Sequence, residues 1–196
     1  RGCVARPRQY AQPQLDRSVT STPDRRTRGK TQPGRLSRLD AWFTTVHRHL
    51  VARADPPWSR ALVVDVGLGA LPHTTVEFAR AVTSVAPDTP VLGIDIAPRR
   101  VAYASRTVEQ PNLSFREGGF DIPLLDGEAV RVVRAMNLLR QYRPSQVADI
   151  HARLTQQVLP GGLVLEGSSD GPGHILTAHL LRRTETAHRR EGLWFS

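Results

Sequence analysis

The apolar positions divide the chain into two kinds of segment. In "RLSRLDAWFTTVHRHLVARA", Leu36, Leu39, Trp42, Phe43, Val46 and Leu50 recur at steps of three and four. That spacing gathers them on one stripe, so an amphipathic helix is predicted over 35–53, ending before "DPPW". From residue 61 onward, short strand-like runs, the first of them nearly all apolar, alternate with helical patterns. Segments 61–66 (ALVVDV), 90–96 (PVLGIDI), 113–118 (LSFREG), 129–137 (AVRVVRAMN) and 163–169 (LVLEGSS) read as strands. Strands that lack polar alternation suit a parallel sheet covered on both faces. Segments 74–86, 98–109 and 144–159 read as helices. Thr74 and Glu77 have the spacing of a capping box. Pro98 suits a first helical turn, and "PGG" is expected to stop the third helix.

Strand and helix in alternation predict an α/β fold. It is expected to be Rossmann-like and doubly wound, a mostly parallel sheet with helices on both faces. Segment 174–183 fits a helix or a strand. Residues 192–196 (GLWFS) read as a strand cut at its end, so the sheet is expected to be truncated at its C-terminal edge. Residues 1–34 are rich in Arg, Pro, Gln, Ser and Thr and have few apolar positions to bury. They are expected to form a basic, disordered tail preceding a single domain over 35–196.

Charge sharpens this division. The net charge of +9 invites a nucleic-acid reading. Residues 1–40, however, carry ten Arg or Lys against three Asp, and the remaining 156 carry 17 against 15 acids. The basicity therefore belongs to the tail, which could reach a nucleic acid, while the domain itself gives no such indication. Lys30 is the only lysine, so the arginine excess reflects coding bias as much as phosphate recognition. Cys3 is the only cysteine, which excludes an internal disulfide and any cysteine-based metal site. The histidines show no ligand spacing, and no metal is expected. No apolar run approaches the ~20 residues of a membrane span, and no signal-peptide pattern is present. A cytoplasmic protein without a membrane partner is the expectation.

Candidate chemistry sits where the first strand ends. "VVDVGLGALPH" gives Asp65, Gly67 and Gly69, followed by a helix start near Thr74. The glycines allow a sharp turn and close approach of a ligand. Dinucleotide sites want G-x-G-x-x-G at this point, but Pro72 stands at the last position. A carboxylate at Asp65 would repel a pyrophosphate and suit a ligand carrying an ammonium and a sulfonium. S-adenosylmethionine (SAM) is such a ligand. Asp95 ends the next strand, where a carboxylate can accept hydrogen bonds from vicinal ribose hydroxyls. Arg99 and Arg100 follow, a faint hint of a 2′-phosphate.

On these motifs the chain resembles the class I SAM-dependent methyltransferases over roughly residues 60–170. "VVDVGLG", "LGIDI", "LSFREGGF", "VRAMN" and "LPGGLVLEG" carry the likeness. A closer one, through "TRGKTQPGRLSRLD", "NLLRQY" and "LVLEGSSD", is to a group of bacterial methyltransferase-like proteins. The resemblance implies that Gly67, Leu68 and Gly69 line the methionine part of SAM, with Asp65 near its amino group. Asp95 would hold the ribose, Ile96 would lie against the adenine, and Gly119 and Phe120 would border it. Asp121 would stand in for the acid that the family places directly after the third strand. Asn137 would face the methyl group and the substrate. Asn137, Arg140, Gln141 and Tyr142 are candidates to contact an acceptor, a small molecule or an RNA. The alternative for "NLLRQY" is a helix start with Leu138 and Leu139 in the core. The helix over 35–53 would pack near the cofactor mouth, and the basic tail would cover the site or reach toward substrate.

The expected function is thus SAM-dependent methyl transfer to an unknown acceptor. Two alternatives stay open: an NAD(P)-dependent oxidoreductase, and a non-catalytic binding protein that retains the methyltransferase fold.

Overall fold

The structure is a computed structural model that describes residues 23–25 and 32–196. Apart from 23–25 and 32–34, the basic segment expected over 1–34 lies outside the described residues, and Cys3 with it. The first elements are helices α1 (Ser37–Val46) and α2 (Arg48–Val51). They occupy the helix expected over 35–53, which breaks into two pieces at His47.

Seven strands then form one sheet. They are β1 (Leu62–Val66), β2 (Val91–Asp95), β3 (Leu113–Glu117), β4 (Val130–Met136), β5 (Val158–Ser169), β6 (Leu176–Arg183) and β7 (His188–Phe195). Their order is β3-β2-β1-β4-β5-β6-β7. The first five run parallel, and β6 and β7 are added antiparallel. Helices α3 (His73–Val85) and α4 (Pro98–Thr107) carry the chain from β1 to β2 and from β2 to β3. Helix α5 (Pro144–Gln156) carries it from β4 to β5. The winding direction reverses between β1 and β4, where the carboxyl ends of an open parallel sheet leave a crevice.

Alternation along the strands decides which layer each side chain joins. Val63, Val132 and Leu165 pack with Phe43, Phe78 and Val82 of α1 and α3. Their neighbours Val64, Val66, Val133 and Val164 pack with Ile150 and Leu154 of α5. Both layers are closed to water, at about 1.5–3 kcal/mol for each large side chain buried.

Three local expectations differ from what is observed, and one left open is decided. Helix α3 starts at His73 with Pro72 at its N-cap and no side-chain cap. Thr74 therefore lies inside the first turn, and Glu77 instead accepts two hydrogen bonds from the Gly34 amide, at 2.8 and 3.0 Å. "PGG" does not end a helix at its boundary but lies within β5, where the pairing with β4 shifts register between Val130 and Val132. Gly161 takes a φ of +88° there, and a Cβ at Gly162 would meet the Arg131 carbonyl oxygen at 2.5 Å, so glycines permit the bulge. Segment 174–183 resolves as strand, and β7 begins at His188 rather than 192.

Two arginines are buried in β4. Arg131 donates to the carbonyls of Ala61, Leu50, Val51, Arg53 and Trp58. A cation here satisfies the last carbonyls of α2, which a helix end leaves open. Burial pushes its pKa down to about 10. No helix among the described residues is long and apolar enough to cross a membrane.

Candidate cofactor cleft

The turn after β1 leaves the sheet through two residues in the left-handed region, Gly67 at φ +90° and Gly69 at φ +72°. The Gly67 amide still donates to Ile94 O of β2 at 2.7 Å, so the turn stays fixed to the neighbouring strand. One strand over, Asp95 ends β2. Its Oδ1 accepts from the Ala97 amide at 2.8 Å, and its Oδ2 from Arg100 Nη1 at 3.2 Å. A carboxylate offers about four lone-pair sites, so these two bonds orient the group and leave it able to accept two more.

Between these strand ends lies an open cleft bordered by Gly67, Asp95, Ile96, Gly119, Phe120 and Tyr142. Val66, Gly118 and Leu138, which carried no polar signal in the sequence, complete its walls. The loop 118–123 is pinned from below by Gln157. Its Oε1 accepts from the Ile122 amide at 2.6 Å, and its Nε2 donates to Phe120 O at 2.5 Å. The Phe120 amide is thereby presented to the cleft. Asp121, the expected stand-in acid, turns outward: its side chain is 68% exposed and pairs with Arg153 at 3.0 Å.

Residues Asp24 and Arg25 also line this cleft. Asp24 Oδ2 accepts from the Phe120 amide at 3.3 Å. The Arg25 amide donates to the Tyr142 hydroxyl at 2.5 Å, and Arg25 Nη1 donates to Gln141 O at 3.0 Å. Gln141 Nε2 returns a bond to Arg25 O at 3.2 Å. Burial pushes the Asp24 carboxyl above the usual carboxylate range, against the pull of Arg153.

The expectation that Asp65 stands at a ligand's ammonium is corrected. Asp65 lies directly opposite Arg134 in the β1–β4 ladder. Both of its oxygens bind that guanidinium, at 2.8 Å from Nε and 2.9 Å from Nη2, and Thr75 Oγ1 donates to Oδ2 at 2.6 Å. Arg134 also reaches Asp40 of α1 at 2.6 Å and Thr74 O at 2.8 Å. Its guanidinium stacks 4.1 Å from the Phe78 ring centroid. Two carboxylates around one buried cation leave an excess negative charge. Burial pushes Asp40 up to about 6, with Arg134 pulling the other way, and its Oδ2 has no hydrogen-bond partner.

Three further expected residues do not border the cleft. Leu68 is buried beneath β2, where a Cβ on Gly93 would lie 2.8 Å from its Cδ2. Gly69 shapes the turn without lining the space. Asn137 sits in the left-handed region at φ +64°, and its amide is spent on β5. Oδ1 accepts from Ser169 N at 2.8 Å, and Nδ2 donates to Ser169 Oγ at 3.0 Å. Arg35 closes the same corner, donating to Ser169 O at 2.9 Å and to Asp170 O at 2.8 Å. In "NLLRQY", Leu138 and Leu139 are buried, Arg140 is exposed, and Gln141 and Tyr142 face Arg25.

No protein-family model matches the chain, and no curated protein matches it. Solved structures do. One is LepI C52A in complex with SAH and a substrate analogue, at 17% identity and TM-score 0.50, covering 71% of this chain and 33% of that one. Another is human N-acetylserotonin methyltransferase in complex with SAM, at 20% identity and TM-score 0.44, covering 71% and 39%. A third is a SAM-dependent methyltransferase from Mesorhizobium loti, at 19% identity and TM-score 0.40, covering 55% and 46%. The chain thus spans less than half the length of each. The first likeness is one of fold: the expected Rossmann-like, mostly parallel sheet is the architecture observed.

Proposed function

We propose that this chain binds SAM in the cleft between β1 and β2 and transfers the methyl group to an acceptor, a small molecule or an RNA. The observation that carries the reading is the pairing of Asp95 with the Phe120 amide across one cleft. A ribose and an adenine base need these two groups, a carboxylate for vicinal hydroxyls and an amide donor for a ring nitrogen. Ile96 supplies an apolar wall, and a Cβ on Gly119 would approach Ile96 Cγ2 at 3.0 Å. The gap beside Ile96 therefore depends on that glycine. Gly67 lets the backbone come close without a side chain in the way.

When bound, SAM supplies a methyl group on a sulfonium as the electrophile. The chain's own contribution is positioning, which can account for much of a displacement's acceleration. Arg140, exposed on the segment after β4, offers a cation to an acceptor arriving at the strand ends. Asp65 no longer separates cofactor classes by its charge, because Arg134 neutralises it. Pro72 at the N-cap of α3 still argues against a pyrophosphate, since proline removes an amide from the helix start where phosphates bind. LepI, which shares the fold, was solved with SAH.

Calorimetric titration of SAM and, separately, NADPH into the chain tests the reading. Saturable SAM binding without NADPH binding is expected. Binding of NADPH alone would assign the oxidoreductase alternative, and binding of neither would leave a non-catalytic protein of this fold. Transfer of labelled methyl from SAM to RNA or metabolite pools would then identify the acceptor.

A further inference from the structure

The cleft has an occupant from its own chain. Asp24 presents a carboxylate oxygen to the Phe120 amide, a backbone donor that borders the cleft. It enters through the space that Gly119 leaves open: a Cβ there would lie 1.9 Å from Asp24 Oδ2. Arg153 Nη2 stands 3.8 Å from Asp24 Oδ1, and its guanidinium lies 5.5 Å from the Phe120 ring centroid, so a positive charge backs the same spot. Arg25 holds the segment at the other wall by three hydrogen bonds to Gln141 and Tyr142, with its guanidinium 5.4 Å from the Tyr142 ring centroid. The Asp24 side chain is 27% exposed, so most of it is taken up by the cleft.

We propose that Asp24 and Arg25 form an internal plug that competes with the adenosyl group for the base end of the cleft. This inference rests on the cofactor reading above and adds a regulation to it. A carboxylate oxygen and a base ring nitrogen are both acceptors for the same amide, and one N–H cannot serve both well. Nucleoside binding therefore requires the plug to leave, and the observed affinity is reduced by the fraction of molecules in which it is seated. Anything that draws the basic N-terminal segment away, an acidic acceptor above all, opens the cleft to the cofactor. Acceptor and cofactor would then bind with positive coupling.

The test is calorimetric titration of S-adenosylhomocysteine into the full chain and into the Asp24→Ala/Arg25→Ala double variant. Hydrogen exchange at the Phe120 amide is followed in both. Neither side chain belongs to the buried hydrophobic core, so the variant retains that core. The double variant is expected to bind about tenfold more tightly, from the loss of the two side-chain hydrogen bonds that Asp24 and Arg25 make to Phe120 N and Gln141 O. The Phe120 amide is expected to exchange slowly in the unliganded wild type and faster in the unliganded variant. Equal affinities overturn the plug and leave the cofactor reading standing. Weaker binding by the variant also overturns it, and makes the segment part of the binding wall. Equal exchange at Phe120 in the two unliganded chains overturns it on the structural side. No binding by either chain overturns the plug together with the cofactor reading.

Discussion

Asp65 and Asp95 end neighbouring parallel strands and look alike in sequence, but they serve opposite ends of the physics. Asp65 pairs in register with Gly93, so it sits two residues lower in the sheet than Asp95. At that depth α1 and α3 cover it, and burial without a counter-ion would cost several kcal/mol. Arg134 on the adjoining strand supplies the counter-ion, and Asp40 completes the group. Asp95 is equally hidden by area, at 2% exposure. Its side-chain partners, however, are one amide and one arginine that stays 23% exposed. The same carboxylate is thus a structural member when a cation faces it across the ladder, and a candidate ligand group when it clears the strand end.

The comparison can be broken most forcefully at the cation. Arg134→Met leaves Asp65 and Asp40 buried together without a partner. A loss of about 3–5 kcal/mol in unfolding free energy is expected by urea denaturation. A loss below ~1 kcal/mol would mean that the trio does not hold α1 to the sheet. Next in size, Asp95→Ala removes two charged hydrogen bonds to ribose. SAM affinity should fall about 10- to 150-fold in calorimetry, on ~1.5–3 kcal/mol for bonds to a charged group. An unchanged affinity would take Asp95 out of the site.

Asp65→Asn sharpens the contrast. It should lower stability by about 1–3 kcal/mol by weakening a buried charged network. The folded variant should still bind SAM within about twofold of wild type. Loss of binding in a folded variant would return Asp65 to the ligand. The smallest effect concerns Asp40, whose pKa is raised to about 6 by burial. A carboxyl raised above its unfolded value stabilises the fold at low pH and loses that contribution as pH rises through about 6. The stability of wild type relative to Asp40→Asn should therefore decline between about pH 4 and 6 and level off above, read as the difference in urea midpoints. A difference that grows with pH would contradict the assignment.

The sheet was legible because short strand-like runs, led by the nearly all-apolar 61–66, are separated by helical periodicity, and β1 to β4 lie where those runs predict. The cleft was legible in part, through Gly67, Asp95, Ile96, Gly119 and Phe120, because strand ends and glycine turns carry local signals. Asp65 was misassigned because its partner is 69 residues away, and register is a tertiary fact that local charge cannot show. A signal was present nonetheless. Arg134 interrupts a run predicted to be a buried strand, and a buried guanidinium demands an acid nearby. Asn137 was misplaced for a related reason, since its amide answers Ser169 on a strand 32 positions away. The plug had no local signature, because Asp24 and Arg25 meet Phe120 and Tyr142 across roughly half the chain. "PGG" misled for a different reason: glycines that end helices also permit bulges, and only the register with β4 distinguishes them.

A crystal structure of the chain with S-adenosylhomocysteine tests the central claim most directly. The account predicts ribose hydroxyls within hydrogen-bond distance of the Asp95 carboxylate, a base nitrogen at the Phe120 amide, and Asp65 still bound to Arg134. A ligand seated elsewhere, or an Asp65 carboxylate released from Arg134 and turned to the ligand, would contradict it.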